Sequence, residues 1–255
     1  GVDTIQGHLY ADLSMKDTKQ YGEGWCWDDK NPVLTPLLIG GKDIFMARFL
    51  DALTSHGVYV DATIDEKRKP IDAFCIVNRF HTIDQILMRM LKESNNLYAE
   101  AMYYQIAAST GNHPASAKSA RNVERRLVDK IGLDASRYKF ADGSGLSLYN
   151  YVSAELEVKM LRYAYKNDNI RHHLMPALPI AGVDGTLKKR MKGTFTRDNV
   201  KAKTGTVTGI SSLAGYCQAA NGHTLCFAII NQGVMHGRNG RAFQDRVCNT
   251  LCAPN

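Results

Sequence analysis

A chain of 255 residues, 44% apolar and 22% charged, can bury the core of one or two domains and does not read as a disordered or collagen-like polymer. Its formal charge of +7 permits an anionic partner. The basic residues are spread out, however, and the densest run, Lys188-Lys189-Arg190-Met191-Lys192, reads as a solvated face with no nucleic-acid module around it. Six cysteines without a Cys-x-x-Cys pair give no zinc signature. No apolar run reaches the roughly 18 residues that would argue for a membrane-spanning helix.

In chain order, short strand-like pieces surround Ile5 and residues 8–13 and lead into Tyr21-Gly22-Glu23-Gly24-Trp25-Cys26-Trp27-Asp28-Asp29. Glycines beside two tryptophans predict a tight packed loop, with a saccharide or peptide platform as the functional alternative. Ile44, Phe45, Phe49 and Leu53 recur at helical spacing, and His56-Gly57 closes that helix. A strand over 58–60, a charged surface loop over 61–70 and a short strand over 74–78 are expected next. Thr82 reads as the N-cap of a helix carrying Ile86, Leu87 and Met90. Further helices are predicted from Ser94 to near Gly111, over 116–131 and over 153–165. Pro176 and Pro179 break the chain before Gly182-Val183-Asp184-Gly185-Thr186, where another helix is expected to start. Strands dominate 200–230, and a helix over 241–252 ends the chain. Central helices, late antiparallel strands and a final helix predict an α+β fold.

Within the late strands, Asn221-Gly222 suits the centre of a type I′ turn between 213–217 and 224–230. If Ala220 pairs with His223, Cys217 faces Cys226. That leaves a disulfide in an oxidising compartment or, the preferred state, two buried thiols.

Two short motifs can carry chemistry. Lys203-Thr204-Gly205-Thr206 lies on a predicted strand, where an amine and hydroxyls can bind a carboxylate and the glycine lets a peptide backbone approach. Ser94-Asn95-Asn96 lies at a helix junction. It reads either as a helix cap or as a hydroxyl and an amide on a cleft wall, the amide offering both donor and acceptor.

Together these motifs resemble the Ser-x-Asn and Lys-Thr-Gly elements of penicillin-interacting enzymes, and in the right order. The stretch from His81-Thr82 through Ser94-Asn95-Asn96-Leu97-Tyr98-Ala99-Glu100 is similar to D-alanyl-D-alanine carboxypeptidases of the penicillin-binding protein 4 type, peptidase family S13. Asp142-Gly143-Ser144-Gly145-Leu146-Ser147 with Asn150, Gly182-Val183-Asp184-Gly185-Thr186-Leu187, and Gly24-Trp25-Cys26-Trp27-Asp28-Asp29 resemble further stretches of that family. The resemblance implies a β-lactamase/transpeptidase-like fold, an antiparallel sheet flanked by helices, and serine acyl transfer on peptidoglycan stem peptides ending in D-Ala-D-Ala. It implies catalytic roles for Ser94, Asn96 and Lys203, and substrate binding by Thr204, Gly205 and Thr206, with the Thr206 amide an oxyanion donor. β-Lactams are implied ligands, no cofactor or metal is expected, and the implied location is the periplasm or cell envelope of a bacterium. An endopeptidase activity is left open beside the carboxypeptidase one.

The family's nucleophile motif, Ser-x-x-Lys, is expected upstream of Ser94. The one such spacing here, Ser136-Arg137-Tyr138-Lys139, lies downstream and reads as accidental, so the nucleophile is unknown. The expectation is a partial chain, incomplete on its N-terminal side. Residues 1–40 would be a remnant leading into the family's extra-domain region and 41–255 the main part of the transpeptidase-like domain. Apolar surface exposed by a missing segment would be a candidate homodimer interface. Two other readings compete: a non-catalytic stem-peptide binding module, and a β-lactamase.

Overall fold

Eight residues near the start alternate weakly between polar and apolar, and they form β1 (Thr4–Ala11). It pairs in parallel with β2 (Tyr59–Glu66), Thr4 opposite Tyr59 and Ala11 opposite Glu66. A parallel pair needs a crossover, and α1 (Phe45–Ser55) supplies it. This structure, a computed structural model, describes residues 1–26, 33–193 and 195–254.

Two sequence expectations fail here. β2 continues through the charged residues expected to form a loop, because its backbone groups are satisfied by β1 while its side chains stay in water. The strand expected over 74–78 does not form. That stretch finds no strand to pair with and leaves Phe74, Ile76 and Val77 exposed. The division expected at residue 40 falls between two strands that share this sheet.

The helical middle follows its caps. α2 (Ile83–Leu87) opens with a full capping box, in which the Thr82 side chain accepts from the Gln85 amide and the Gln85 side chain accepts from the Thr82 amide. It runs into a π-helical turn, Met88–Lys92, a distortion found often near functional sites. α3 (Asn96–Ala108) and α4 (Ala117–Lys130) pack together, burying Tyr103, Tyr104, Ala107 and Ala120. α5 (Ala154–Lys166) is capped by Ser153, and α6 (Asp168–Ala177) by Asn167. The sequence reading missed α6, because it took Pro176 as a break. The proline sits in the last turn, where the helix is ending anyway. The helix expected to start within 182–186 is instead a single 3-10 turn, Gly185–Leu187.

The second sheet is antiparallel, in the order β3 (Lys201–Val207), β4 (Ile210–Gln218), β5 (Thr224–Gln232). α7 (Gly237–Cys252) covers one face. Leu213, Phe227, Val200, Leu187, Cys217, Cys248 and Cys252 fill the space between. The β4–β5 turn is one residue longer than expected. Gly222 donates to Ala219 and Ala219 donates to His223, and Gly222 takes φ +83. This is a three-residue loop closed by a left-handed glycine rather than a two-residue type I′ turn. The shift of one residue flips alternate side chains. Cys226 faces Tyr216, while Cys217 turns into the core beside Cys248 and Cys252, all as free thiols.

Candidate active site

β3 is an edge strand, and its first residues are covered: the Ala202 amide donates to Pro179 O, and Ala181 N donates to Val200 O. Since the amides of an extended strand alternate in direction, those of Thr204 and Thr206 point to the same outer side as that of Ala202. Among the described residues no further strand pairs with β3 there, beyond the cover given by residues 179–181. Gly205 pairs with Ser212, and a side chain at Gly205 would meet the Ser212 hydroxyl. The glycine therefore makes room for a neighbour within the sheet, a role its sequence context did not suggest.

Lys203 reaches from β3 to the junction before α3, where its Nζ donates to Ser94 Oγ at 2.7 Å and to the Thr204 carbonyl. Among the described residues no carboxylate forms an ion pair with it. Burial pushes the amine down to about 8. Ser94 is half-buried, with φ +54 in the left-handed region. The two readings of Ser94-Asn95-Asn96 divide between its residues. Asn95 is the cap, its side chain accepting from the Tyr98 amide at 3.2 Å. Ser94 is thereby free to turn its hydroxyl to Lys203, and Asn96 begins α3. Ser94 and the Lys203–Thr206 run thus meet across 109 residues of chain.

A second wall was not foreseen. Thr204 Oγ1 lies 3.0 Å from Thr186 Oγ1, in the turn that contains Asp184 and Gly185. Asp184 in turn holds the buried Lys92 at 2.6 Å. The sequence offered a faint signal for this pair: a lysine among the apolar residues Met90 and Leu91, and an aspartate framed by glycines.

Behind α3, two carboxylates order the loop over 142–147, Asp142 from within the loop and Glu100 from the helix. Asp142 accepts from Trp25 Nε1 at 2.7 Å, from the Gly145 and Ser147 amides at 2.9 Å each, and from Asn150 Nδ2 at 2.8 Å. Glu100 Oε1 accepts from the Gly143 and Ser144 amides at 3.0 and 2.7 Å. A Cβ at Gly143 would sit 2.6 Å from Tyr103 Cβ, so only glycine lets the loop press this closely on α3. Trp25 thus serves packing; Trp27, Asp28 and Asp29 lie outside the described residues. Burial raises Glu100 to about 7.

Ser136 and Lys139 do not form a nucleophile couple in this arrangement. Ser136 belongs to a short 3-10 turn capped by Asp134, and Lys139 pairs with Glu23 and lies over the Tyr149 ring. Among the described residues no group of three His, Cys, Asp or Glu side chains could hold a metal ion. No helix among them is long and apolar enough to cross a membrane.

An antiparallel sheet whose edge strand carries Lys-Thr-Gly, set against a Ser-x-Asn helix start, defines a β-lactamase/transpeptidase-like α+β fold. The chain belongs to the D-Ala-D-Ala carboxypeptidase 3 (S13) family, whose model matches residues 40–251. It is 33% identical over 235 residues to the D-alanyl-D-alanine carboxypeptidase DacB of Haemophilus influenzae, covering 90% of this chain and 49% of that protein. The chain therefore spans about half the length of that relative. The crystal structure of penicillin binding protein 4 from Haemophilus influenzae superposes with a TM-score of 0.82 at 21% identity, over 98% of this chain and 76% of the other. A second structure of that protein, complexed with a β-lactam, gives a TM-score of 0.68 at 29% identity, over 76% and 45%.

Proposed function

We propose that this chain binds the D-Ala-D-Ala end of peptidoglycan stem peptides. It would be the substrate-holding part of a serine-type D-Ala-D-Ala carboxypeptidase that works by acyl transfer in the bacterial periplasm or cell envelope. The observation that carries this reading is the desolvated Lys203 amine against Ser94 Oγ, beside an open strand edge.

A stem peptide would add to the free edge of β3 as a further strand, using the outward amides of Thr204 and Thr206. Its terminal carboxylate would sit against Lys203 and the Thr204 hydroxyl, a charge-assisted contact in a partly dry site. Asn96 would hold the substrate amide. As the scissile carbonyl becomes tetrahedral, the Thr206 amide would stabilise the oxyanion. An amine near 8 exchanges its proton readily close to neutral pH. Lys203 and Ser94 together could then deliver that proton to the departing D-Ala amine. The attacking serine is not supplied by any Ser-x-x-Lys upstream of Ser94 in this sequence, so the chain alone would bind without forming an acyl-enzyme. β-Lactams are proposed as ligands of the same edge, supported by the β-lactam complex of the Haemophilus influenzae protein. The division into residues 1–40 and 41–255 belongs to the same proposal.

Calorimetric titration with diacetyl-Lys-D-Ala-D-Ala tests this. Saturable binding is expected, weakened at least about tenfold by Lys203→Ala (about 1.4 kcal/mol) and absent for the L-Ala-L-Ala peptide. Equal binding by the Lys203→Ala protein would overturn the assignment of the edge. Covalent labelling by a fluorescent penicillin would overturn the absence of a nucleophile.

A further inference from the structure

We propose that the Lys92–Asp184 ion pair is a positioning device that holds Ser94 in register with Lys203, by bracing the Ser94 junction against the turn that abuts β3. The inference rests on the reading of Ser94 and Lys203 as a working couple.

Ser94 needs such a brace. A non-glycine residue at φ +54 is in a conformation that costs on the order of 1 kcal/mol, and it persists only where its surroundings impose it. Two residues earlier, Lys92 is buried at 9% exposure at the end of the π-helical turn. Its Nζ donates to Leu178 O at 2.5 Å and to Asp184 Oδ2 at 2.6 Å. The other carboxylate oxygen of Asp184 accepts from the Ile180 amide at 2.8 Å. Both oxygens of Asp184 are thus engaged, one by the lysine and one by the segment that leads to β3.

That segment is itself fastened to the strand. Pro179 O accepts from the Ala202 amide at 3.0 Å, and the Ala181 amide donates to Val200 O at 2.9 Å. At its other end, Thr186 meets Thr204. The backbones also touch: a Cβ at Gly185 would lie 2.8 Å from the Lys92 carbonyl, and Gly185 adopts φ +54, where a side chain is strained. Residues 178–186 therefore form a bridge with Lys92 at one pier and β3 at the other. Ser94 and Lys203 are held together through this bridge as well as by their own hydrogen bond.

Lys16 provides the contrast. It too is buried, at 7% exposure, but its hydrogen bonds stay within its own loop, to Asp17 and Lys19 O, and its contact with α3 is a packing one, over the Tyr104 ring at 4.7 Å. A lysine buried for local packing looks like Lys16. Lys92 instead joins elements 92 residues apart on either side of the site.

The test follows the Lys203 amine itself, by NMR titration of lysine-labelled protein, with Lys203→Arg assigning the signal. In the unsubstituted chain it should titrate near 8. In Lys92→Met, Ser94 loses its brace, water reaches the amine, and the titration should move toward 10.5, the ordinary lysine value. At pH 8 the neutral fraction would then fall from about a half to below about a tenth. Asp184→Asn, which cannot accept from both Lys92 and Ile180, should shift it the same way by less, and it carries the test if Lys92→Met does not fold. Lys16→Met should lower the unfolding midpoint without moving Lys203. The proposal is overturned if neither site variant moves the titration, if Lys16→Met moves it equally, or if the unsubstituted Lys203 titrates near 10.5. None of these readings uses a ligand. Failure to bind the D-Ala-D-Ala peptide would therefore count against the proposed function and leave the brace standing.

Discussion

The first sheet and the second are held together differently. In the β1–α1–β2 unit, the backbone ladder does most of the joining: α1 buries no residue fully, and six of the eight residues of β2 are exposed. In the β3–β4–β5 sheet the ladder is supplemented by side chains, with Leu213, Val200 and Leu187 at 0% exposure beneath α7. A ladder exchanges hydrogen bonds with water for hydrogen bonds within the chain and gains little from each, whereas burying apolar surface is a net gain. The packed sheet carries Lys203, and a site that depends on distances near 3 Å benefits from that support.

The largest effect expected from this contrast is in the core. Leu213→Ala should lower stability to urea by about 2–5 kcal/mol, from lost burial and the cavity left behind. Phe49→Ala on α1, where the residue is 40% exposed, should lower it by less than about 1 kcal/mol. Comparable losses for both would mean that the N-terminal unit is held by its side chains after all, and the comparison would fall.

The same contrast explains what the sequence could reveal. Helices were legible, because the signal is local: Thr82 reads as the N-cap of α2, and the stretches over 116–131 and 153–165 begin one residue before α4 and α5. The length of β2 was not. Its stability lies in pairing with a strand some fifty residues earlier, and its charged side chains say nothing of that partner. The run over 74–78 erred the other way, with strand-like residues and no strand beside them. Ser94 and Lys203 stood out through two short motifs and the family resemblance that joins them, and the fold brings the two side chains together. Lys92 and Asp184 form an ion pair that only the fold assembles, and a lysine in a helix is ordinarily read as solvent-facing. The cysteine register failed over a single residue, since Asn-Gly fits more than one loop length and pairing parity decides every side chain beyond it.

A second, smaller effect separates the helical middle from both sheets. Glu100 is 2% exposed, and its carboxyl is raised from 4.5 to about 7, first by burial. A raised acid holds its proton more tightly when folded. Its contribution to stability is thus fully present below pH about 4.5 and is lost as pH rises through about 7. Unfolding by urea across pH 5–8 should show stability falling by on the order of 2 kcal/mol from this group. Glu100→Gln still accepts from the Gly143 and Ser144 amides and should flatten that part of the slope. Glu124, raised to about 7 chiefly by burial, should keep a remainder. A slope untouched by Glu100→Gln would show that the loop over 142–147 binds an ionised carboxylate at little cost. The helical middle would then resemble the exposed N-terminal unit more than the packed sheet.

The smallest effect concerns two ion pairs on one π-helical turn. Arg89 meets Glu93 at 2.6 Å, and Lys92 meets Asp184 at the same distance. Contact length cannot rank them, but their surroundings can. The first pair stands in water, its side chains 58% and 52% exposed, so solvent screens the attraction and ordering two long side chains offsets the rest. Glu93→Gln should leave the thermal midpoint within error of the unsubstituted chain at both low and high salt. Asp184→Asn should lower it measurably, because it weakens the partner of a lysine that has left water. Equal shifts for the two substitutions would mean that separation governs these pairs rather than burial. The difference between an exposed ladder and a packed core would then be no guide to where this chain keeps its stability.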